Sequence, residues 1–224
     1  MTGPDETINE FKFNKPKTVV ETITDFLRKS IINGRLKPGE KIKSKEIIDH
    51  LGISVIPFRE AVRILENEGL ILSRSGRGNW VADVSRKDLE ETFEMREMME
   101  MYAIDLIQKR EKEGIDIRSD LKDMALDENT EKMGGGFCAN FHINLVLLAN
   151  NGKLSFLYNT LSNNISRYQS LSSAIRDELS VLGELHLPIL KPLIKGDYKK
   201  AKREIKAHLE GLKIEIEERM DFSE

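Results

Sequence analysis

The sequence predicts a mainly α-helical protein in two parts: an N-terminal winged helix-turn-helix and a C-terminal all-α antiparallel helical bundle. Three observations predict it. Aromatic residues make up only 6% of the chain against 33% charged residues, with Leu, Ile, Met, Lys and Glu abundant, a mix that favours helices. From Arg86 nearly to the end, apolar residues recur at helical spacing. Before that point, turn residues divide the chain into helix, helix, turn, helix and hairpin, in that order.

Residues 1–16 read as a flexible tail. Thr18 to Asn33 reads as a helix, with Val19, Ile23, Phe26, Leu27 and Ile31 at helical spacing. Asn33-Gly34 ends it, and Lys37-Pro38-Gly39-Glu40 makes a turn. A second helix starts with Ser44 as N-cap, buries Ile47, Ile48 and Leu51, and stops at Gly52. Ser54 caps a third, from about Ile56 to Asn67. Pro57 sits in its first turn, where a missing N–H costs nothing, and Phe58, Ala61, Val62 and Leu65 face inward. Gly69 to Leu72 reads as a strand, Arg74 to Gly78 as a turn and Trp80 to Ala82 as the returning strand. These elements fill residues 17–83 and follow the winged helix-turn-helix plan. Residues 84–224 form a second, all-helical domain, interrupted at Gly134-Gly135-Gly136 and turned tightly at Gly196-Asp197.

Composition narrows the functional classes. A hydrophobic fraction of 39% describes a soluble globular protein, and no run approaches about 18 uninterrupted apolar residues, so no membrane partner is expected. Met1 to Glu10 is polar and acidic, unlike a secretory signal. A single cysteine, Cys138, excludes an intrachain disulfide framework and fits a reducing, cytoplasmic location. Residues 15–83 carry thirteen Lys/Arg against nine Asp/Glu, a net of +4, whereas residues 84–224 carry twenty-one against twenty-six, a net of −5. That asymmetry fits an N-terminal face for phosphates, although ordinary surface scatter gives the same signature.

A helix-turn-helix lays its second helix in the major groove of double-stranded DNA. Here that helix can present Ser54, Val55, Ile56, Arg59 and Arg63. Arg59 is the strongest single candidate, since its fork matches a guanine edge or a phosphate. Lys43, Ser44 and Lys45 open the preceding helix, whose N-terminal amides suit phosphate. The wing offers Arg74, Arg77 and Gly78, where glycine permits close backbone approach. The plainer alternatives are a solvated salt-bridge face for Arg59 and Glu60 and a simple turn charge for Arg77. Trp80 reads as packing under the wing, and His50 as a surface residue without a role.

In the bundle, three of the four histidines, His142, His186 and His208, lie on amphipathic helices. His186 precedes Gly196 by 10 residues and His208 follows Asp197 by 11. Both therefore sit about 15–17 Å from the turn, at one level of an antiparallel pair. Converging imidazoles inside a helical bundle make a transition-metal site. Pro188 and Pro192, just after His186, remove helical hydrogen bonds and are expected to kink or interrupt that helix.

The N-terminal motifs resemble the GntR family of regulators. Gly34-Arg35-Leu36-Lys37-Pro38-Gly39-Glu40-Lys41-Ile42, Ser54-Val55-Ile56-Pro57-Phe58-Arg59-Glu60-Ala61-Val62, Leu65-Glu66-Asn67-Glu68-Gly69-Leu70 and Arg77-Gly78-Asn79-Trp80-Val81 follow that family's pattern in order and spacing over about 65 residues. The position after the capping serine, an arginine that reads DNA in the family, is Val55 here. A different operator is implied, with a thymine methyl as one apolar partner. Residues 84–224 resemble the FCD effector domain, through Arg96-Glu97-Met98-Met99-Glu100, Phe141-His142-Ile143-Asn144-Leu145 with Ala149-Asn150, Glu184-Leu185-His186, and Gly196-Asp197-Tyr198-Lys199-Lys200-Ala201 ending at His208-Leu209.

The resemblance implies a homodimeric, ligand-responsive regulator of transcription, most readily a repressor and not an enzyme. Its partners would be operator DNA and a small-molecule effector, commonly an organic acid and sometimes one held by a metal. It also implies a carboxylate four residues before the first histidine, where this chain has Cys138, one helical turn from His142. Either Cys138 joins His142, His186 and His208 as a ligand set suited to a divalent transition metal, zinc before cobalt, nickel or copper, or it is a small buried apolar residue and the metal site is weakened or lost. Arg96, by the family pattern, and Arg167, by its helical position, are candidates to meet an effector carboxylate. Structural salt bridges are equally open to both, and Glu100 lies one turn from Arg96. Two other classes remain: a metal-dependent hydrolase, which would lose turnover on changing His142, and a metal-storage or dimerisation module, which would bind no specific operator.

Overall fold

Thr18 opens the first helix with a reciprocal cap. Its hydroxyl accepts the Glu21 amide at 3.1 Å, and the Glu21 carboxylate accepts the Thr18 amide at 2.7 Å. This opens α1 (Val19–Ile32). The computed structural model describes residues 17–129, 137–171, 186–220 and Phe222, with side chains at all of these except 126–129, 137–140 and 169–170. The expected tail and the glycine triplet lie outside the described residues.

After α1 come β1 (Lys41–Ile42), α2 (Ser44–Leu51), α3 (Val55–Asn67), β2 (Ile71–Arg74) and β3 (Gly78–Val81). The strands form an antiparallel sheet of order β1-β3-β2, with Trp80 opposite Lys41 on one side and Leu72 on the other. Ile23, Leu27 and Ile31 of α1 pack with Phe58, Ala61, Val62 and Leu65 of α3 and with Ile42, Leu70, Ile71 and Val81. This is one core beneath the helix-turn-helix and its wing.

Three local readings differ from expectation. Strand β2 starts at Ile71 because Gly69 and Leu70 terminate α3. Gly69 adopts φ 74, and the Gly69 and Leu70 amides donate back to the Glu66 and Leu65 carbonyls at 3.0 and 2.9 Å. That is a left-handed helix stop rather than a strand start. Ser44 is the first helical residue of α2, not its cap; its hydroxyl turns to the Ile42 carbonyl and accepts from Asn79 in the wing. Ser54 holds the cap position of α3 in extended backbone, without a side-chain cap bond. The two-residue β1 carries no period that a sequence could reveal.

The second part comprises α4 (Arg86–Lys112), α5 (Arg118–Asn129), α6 (Phe137–Leu148), α7 (Gly152–Leu171), α8 (Leu187–Ile194) and α9 (Tyr198–Arg219). Ser85 caps α4 by accepting the Asp88 amide at 3.0 Å. At 27 residues α4 is about 40 Å long and serves as the spine. Leu89 and Phe93 meet Tyr168, Leu209 and Ile216. Met99 and Ala103 meet Val146, Leu154 and Tyr158. Ile104 and Ile107 meet Phe141, Ile189, Ala201 and Ile205. α7 and α9 therefore both run antiparallel to α4.

Gly196, at φ 76, makes the turn into α9, and Asp197 caps that helix by accepting the Lys200 amide at 3.0 Å. The two prolines differ: the helix begins only at Leu187, leaving His186 at its cap rather than within it, whereas Pro192 does not end it. Pro188 falls in the first turn of α8, where no helical bond is lost, and the helix runs through Pro192 to Ile194. Among the described residues no helix is long and apolar enough to cross a membrane.

Candidate functional site

Two groups of side chains stand out, one exposed and one buried. The exposed group gathers around the start of α3. Burial of Phe58, Ala61, Val62 and Leu65 turns the opposite face outward, so Ser54, Val55, Ile56, Arg59 and Arg63 all face solvent. Ile56 is 80% exposed and Val55 47%, an apolar pair at the position that a helix-turn-helix offers to a groove. Neither Arg59 nor Arg63 enters an ion pair with a described residue. Lys43 and Lys45 are exposed at the start of α2, with Lys43 3.5 Å from Glu46. In the wing, Arg77 is exposed at the tip beside Gly78, which adopts φ 114. Trp80 is half-buried between two cations, Lys41 Nζ at 5.3 Å and Arg74 Cζ at 5.1 Å from the ring centroid. This sandwich was not legible in the sequence, because Lys41 lies on the unforeseen β1.

The buried group is the histidine cluster. His142 projects from α6, His208 from α9, and His186 from the cap position of α8. Their ligand-capable nitrogens all lie within 4.8 Å of one another. The His142–His208 and His186–His208 ring centroids are 5.1 and 4.9 Å apart, and Phe141 stacks on His186 at 4.1 Å. Burial depresses all three basicities. His186 and His208 fall to about 3, each mainly through desolvation, with Arg96 adding repulsion and Glu100 opposing it. His142 is held well below its ordinary value by burial first, then by Arg96 and the other two rings. Three neutral imidazoles result, the form that binds metal.

Glu100 organises the cluster. Its Oε2 accepts Nδ1–H of His142 at 2.7 Å, and its Oε1 accepts Nε–H of Arg96 at 2.8 Å and the Tyr158 hydroxyl at 2.5 Å. Arg96 and Glu100 are 1% and 0% exposed. A carboxylate on Nδ1 fixes the tautomer and leaves the Nε2 lone pair of His142 aimed at His208 Nε2, 3.2 Å away. Two imidazole nitrogens on one tetrahedral zinc lie about 3.3 Å apart, so this donor set fits a transition ion. The sequence marked Glu100 only as a partner for Arg96 and did not mark Tyr158. A buried tyrosine on an apolar helix face carries no sequence signal until its hydroxyl is placed.

The predicted residues divide accordingly. The structure brings together His142, His186, His208 and Arg96. Cys138 lies on α6 one turn before His142, but its side chain is outside the described ones. Arg167 is not brought to the histidines. Its guanidinium donates to the backbone carbonyls of Ala82 at 3.2 Å and Asp83 at 3.5 Å, and it lies 3.6 Å from Asp88. It holds the segment joining the wing to α4, because α7 turns this part of its surface toward the helix-turn-helix.

Residues 19–81 match the family described as bacterial regulatory proteins, gntR family, and residues 91–211 match the FCD domain, which spans just over half of the chain. A relative from Paenarthrobacter nicotinovorans, named "Probable D-xylose utilization operon transcriptional repressor", is 29% identical over 195 residues, covering 86% of each chain. The HTH-type transcriptional regulator YdhC of Bacillus subtilis (strain 168) is 33% identical over 100 residues, 45% of each chain. Among solved structures, E. coli McbR/YncC superposes with a TM-score of 0.72 at 18% identity, covering 92% of this chain and 100% of that one. A GntR regulator from Rhodococcus sp. RHA1 gives 0.70 at 20% identity, covering 90% and 99%. Both of these likenesses are of fold. The chain belongs to the gntR family of bacterial regulatory proteins and carries an FCD domain as its C-terminal part.

Proposed function

We propose that the protein is a ligand-responsive transcriptional repressor. In this reading it binds double-stranded operator DNA as a cytoplasmic homodimer and senses a small organic acid, a transition-metal ion, or both. The observation that carries this reading is the pairing of an exposed recognition helix with a buried, tautomer-fixed histidine centre in one chain. The P. nicotinovorans relative, aligned along most of both chains and named a repressor, supports the direction of regulation.

Residues 17–83 form the reading domain. Arg59 and Arg63 bind a guanine edge or phosphates. Val55 and Ile56, too apolar to sit well in water, meet thymine methyls in the major groove. Lys43, Ser44 and Lys45 at the start of α2, with Arg77 and Gly78 in the wing, hold the backbone. Residues 84–224 sense and dimerise. Large apolar side chains left in solvent, Phe156 at 69%, Met98 at 56% and Leu157 at 53%, supply surface for a second copy.

His142, His186 and His208 would hold a divalent ion, zinc first, with Cys138 as a fourth ligand. When bound, the ion supplies a Lewis-acid anchor for an effector carboxylate. Glu100 orients His142, and Arg96, at the edge of the cluster, adds positive charge toward an anionic effector. Arg167 stays with the linker.

The test is selection of DNA sites from a random pool with the full chain, followed by Arg59→Ala on the selected site. We expect a palindromic site and an affinity loss of about tenfold or more, with the salt slope reduced by about one. An unchanged affinity would remove α3 as the reading helix.

A further inference from the structure

Helix α7 touches both functional groups. Leu154, Tyr158 and Leu161, at helical spacing, face the bundle, and Tyr158 places its hydroxyl on Glu100 Oε1. Five to nine residues further along, the same helix reaches the DNA-reading part. Asn163 Nδ2 donates to Glu68 Oε2 at 3.3 Å, and Asn164 Nδ2 donates to the Glu68 backbone carbonyl at 3.3 Å. Arg167 takes the Ala82 and Asp83 carbonyls.

Glu68 is the C-cap of the recognition helix. Its carboxylate is also gripped by Arg28 of α1, through Nε at 2.9 Å and a terminal nitrogen at 2.6 Å. Ala82 in turn donates its amide to Leu70 at 3.0 Å, so Arg167 holds the base of the wing as well as the linker. A side chain of the bundle thus supports the last turn of the helix that enters DNA, and another supports the wing.

Resting on the regulatory function proposed above, we infer that α7 is the element through which the histidine centre sets the placement of the recognition helix. Tyr158 is the input, and Asn163, Asn164 and Arg167 are positioning residues at the output. Glu100 makes the input sensitive. Its Oε1 is shared between Arg96 and Tyr158, while its Oε2 holds the His142 N–H. A cation on His142 Nε2 makes that N–H more acidic and draws Glu100 toward it. An anion drawn to Arg96 competes for the guanidinium. Either event changes the hold of Glu100 on Tyr158. From Tyr158 to Asn163 is about 7.5 Å of continuous helix, short enough to move as one body. Bonded to Glu100 through Tyr158 and to the DNA-reading part through Asn163, Asn164 and Arg167, the helix is a contiguous physical link between the two groups.

Hydrogen exchange on the full chain tests this, with Zn²⁺ as the probe. In wild type, Zn²⁺ should change exchange at the amides of residues 66–70 and 82–88 by at least fivefold. In Tyr158→Phe that distant change should shrink below twofold while changes within α4 and α6 persist. The Asn163→Ala, Asn164→Ala double variant cuts the output and leaves the bundle untouched. It should likewise silence residues 66–70, and it serves if Tyr158→Phe does not fold. A full wild-type response in either variant would overturn the inference. If wild type takes up no Zn²⁺, the metal reading fails by itself and the strut is judged without it. Tyr158→Phe should then raise exchange at residues 66–70 at least fivefold over wild type, and unchanged protection there would overturn the inference.

Discussion

The two functional groups are built on opposite principles. Around α3 and the wing, most side chains are exposed, and Arg59 and Arg63 make no ion pair with a described residue, so partners for them can come from outside. In the bundle, Glu100, Arg96, His142 and Tyr158 are almost wholly buried, and hydrogen bonds through Glu100 tie them together within the chain. The first arrangement suits a rigid polyanion that arrives ready-shaped. The second suits a small ligand, because only a species that can enter and compete for existing bonds will be felt. The difference also sets sensitivity: exposed cations are screened by salt, and buried pairs hardly at all.

The sharpest way to break the comparison is to disturb the buried centre. Wild type should purify without chelator carrying about one transition ion per chain, and His186→Ala should carry none. Glu100→Gln should lower metal affinity by about 10–100-fold, since it removes the anion that orients His142. It should also cost about 3 kcal/mol of stability, because the buried Arg96 loses its counter-charge. Metal analysis and urea unfolding check both. A variant as tight and as stable as wild type would mean the centre is not organised by Glu100.

Acid should separate the two regions next. His186 and His208 are pushed down to about 3 in the folded chain, against roughly 6.5 when unfolded. Between these values the unfolded chain binds more protons, so stability is fully present above pH ~6.5 and is lost as pH falls toward ~3. The loss is on the order of 1 kcal/mol per pH unit for each ring. Thermal melts of the metal-free protein from pH 7.5 to pH 4.5 should show this descent, and a flat profile would place the rings in water.

The smallest effect lies on the exposed side. Ile56→Ala should weaken operator binding by about threefold, the worth of slightly less than one buried methylene. The difference should vanish when the contacted thymine is replaced by uracil. Persistence of the threefold loss on uracil would assign Ile56 to packing rather than to a methyl contact.

Much of this was legible in the residues. Phe58, Ala61, Val62 and Leu65 announced the buried face of α3, and so by exclusion the exposed face with Arg59 and Arg63. The equal distances of His186 and His208 from Gly196-Asp197 announced that the two rings share a level, and Pro188 proved compatible because it falls in a first turn. Less was legible where a short element or a helix stop competed with a pattern. Strand β1 is two residues long, and Gly69-Leu70, which reads as the start of a strand, is the end of a helix.

By itself the sequence determined the order of the elements, the helix-turn-helix with the exposed face of α3, and the three histidines. Each rests on a local period, a turn or a spacing along one chain direction. Only the tertiary structure decided which partner Glu100 serves, that Tyr158 bonds to it, and that Arg167 holds the linker carbonyls. Those choices depend on which helix faces which across the bundle. Tyr158 and Glu100 are 58 residues apart and Arg167 and Ala82 are 85, and at such separations only the packing of α4 against α7 brings the groups together.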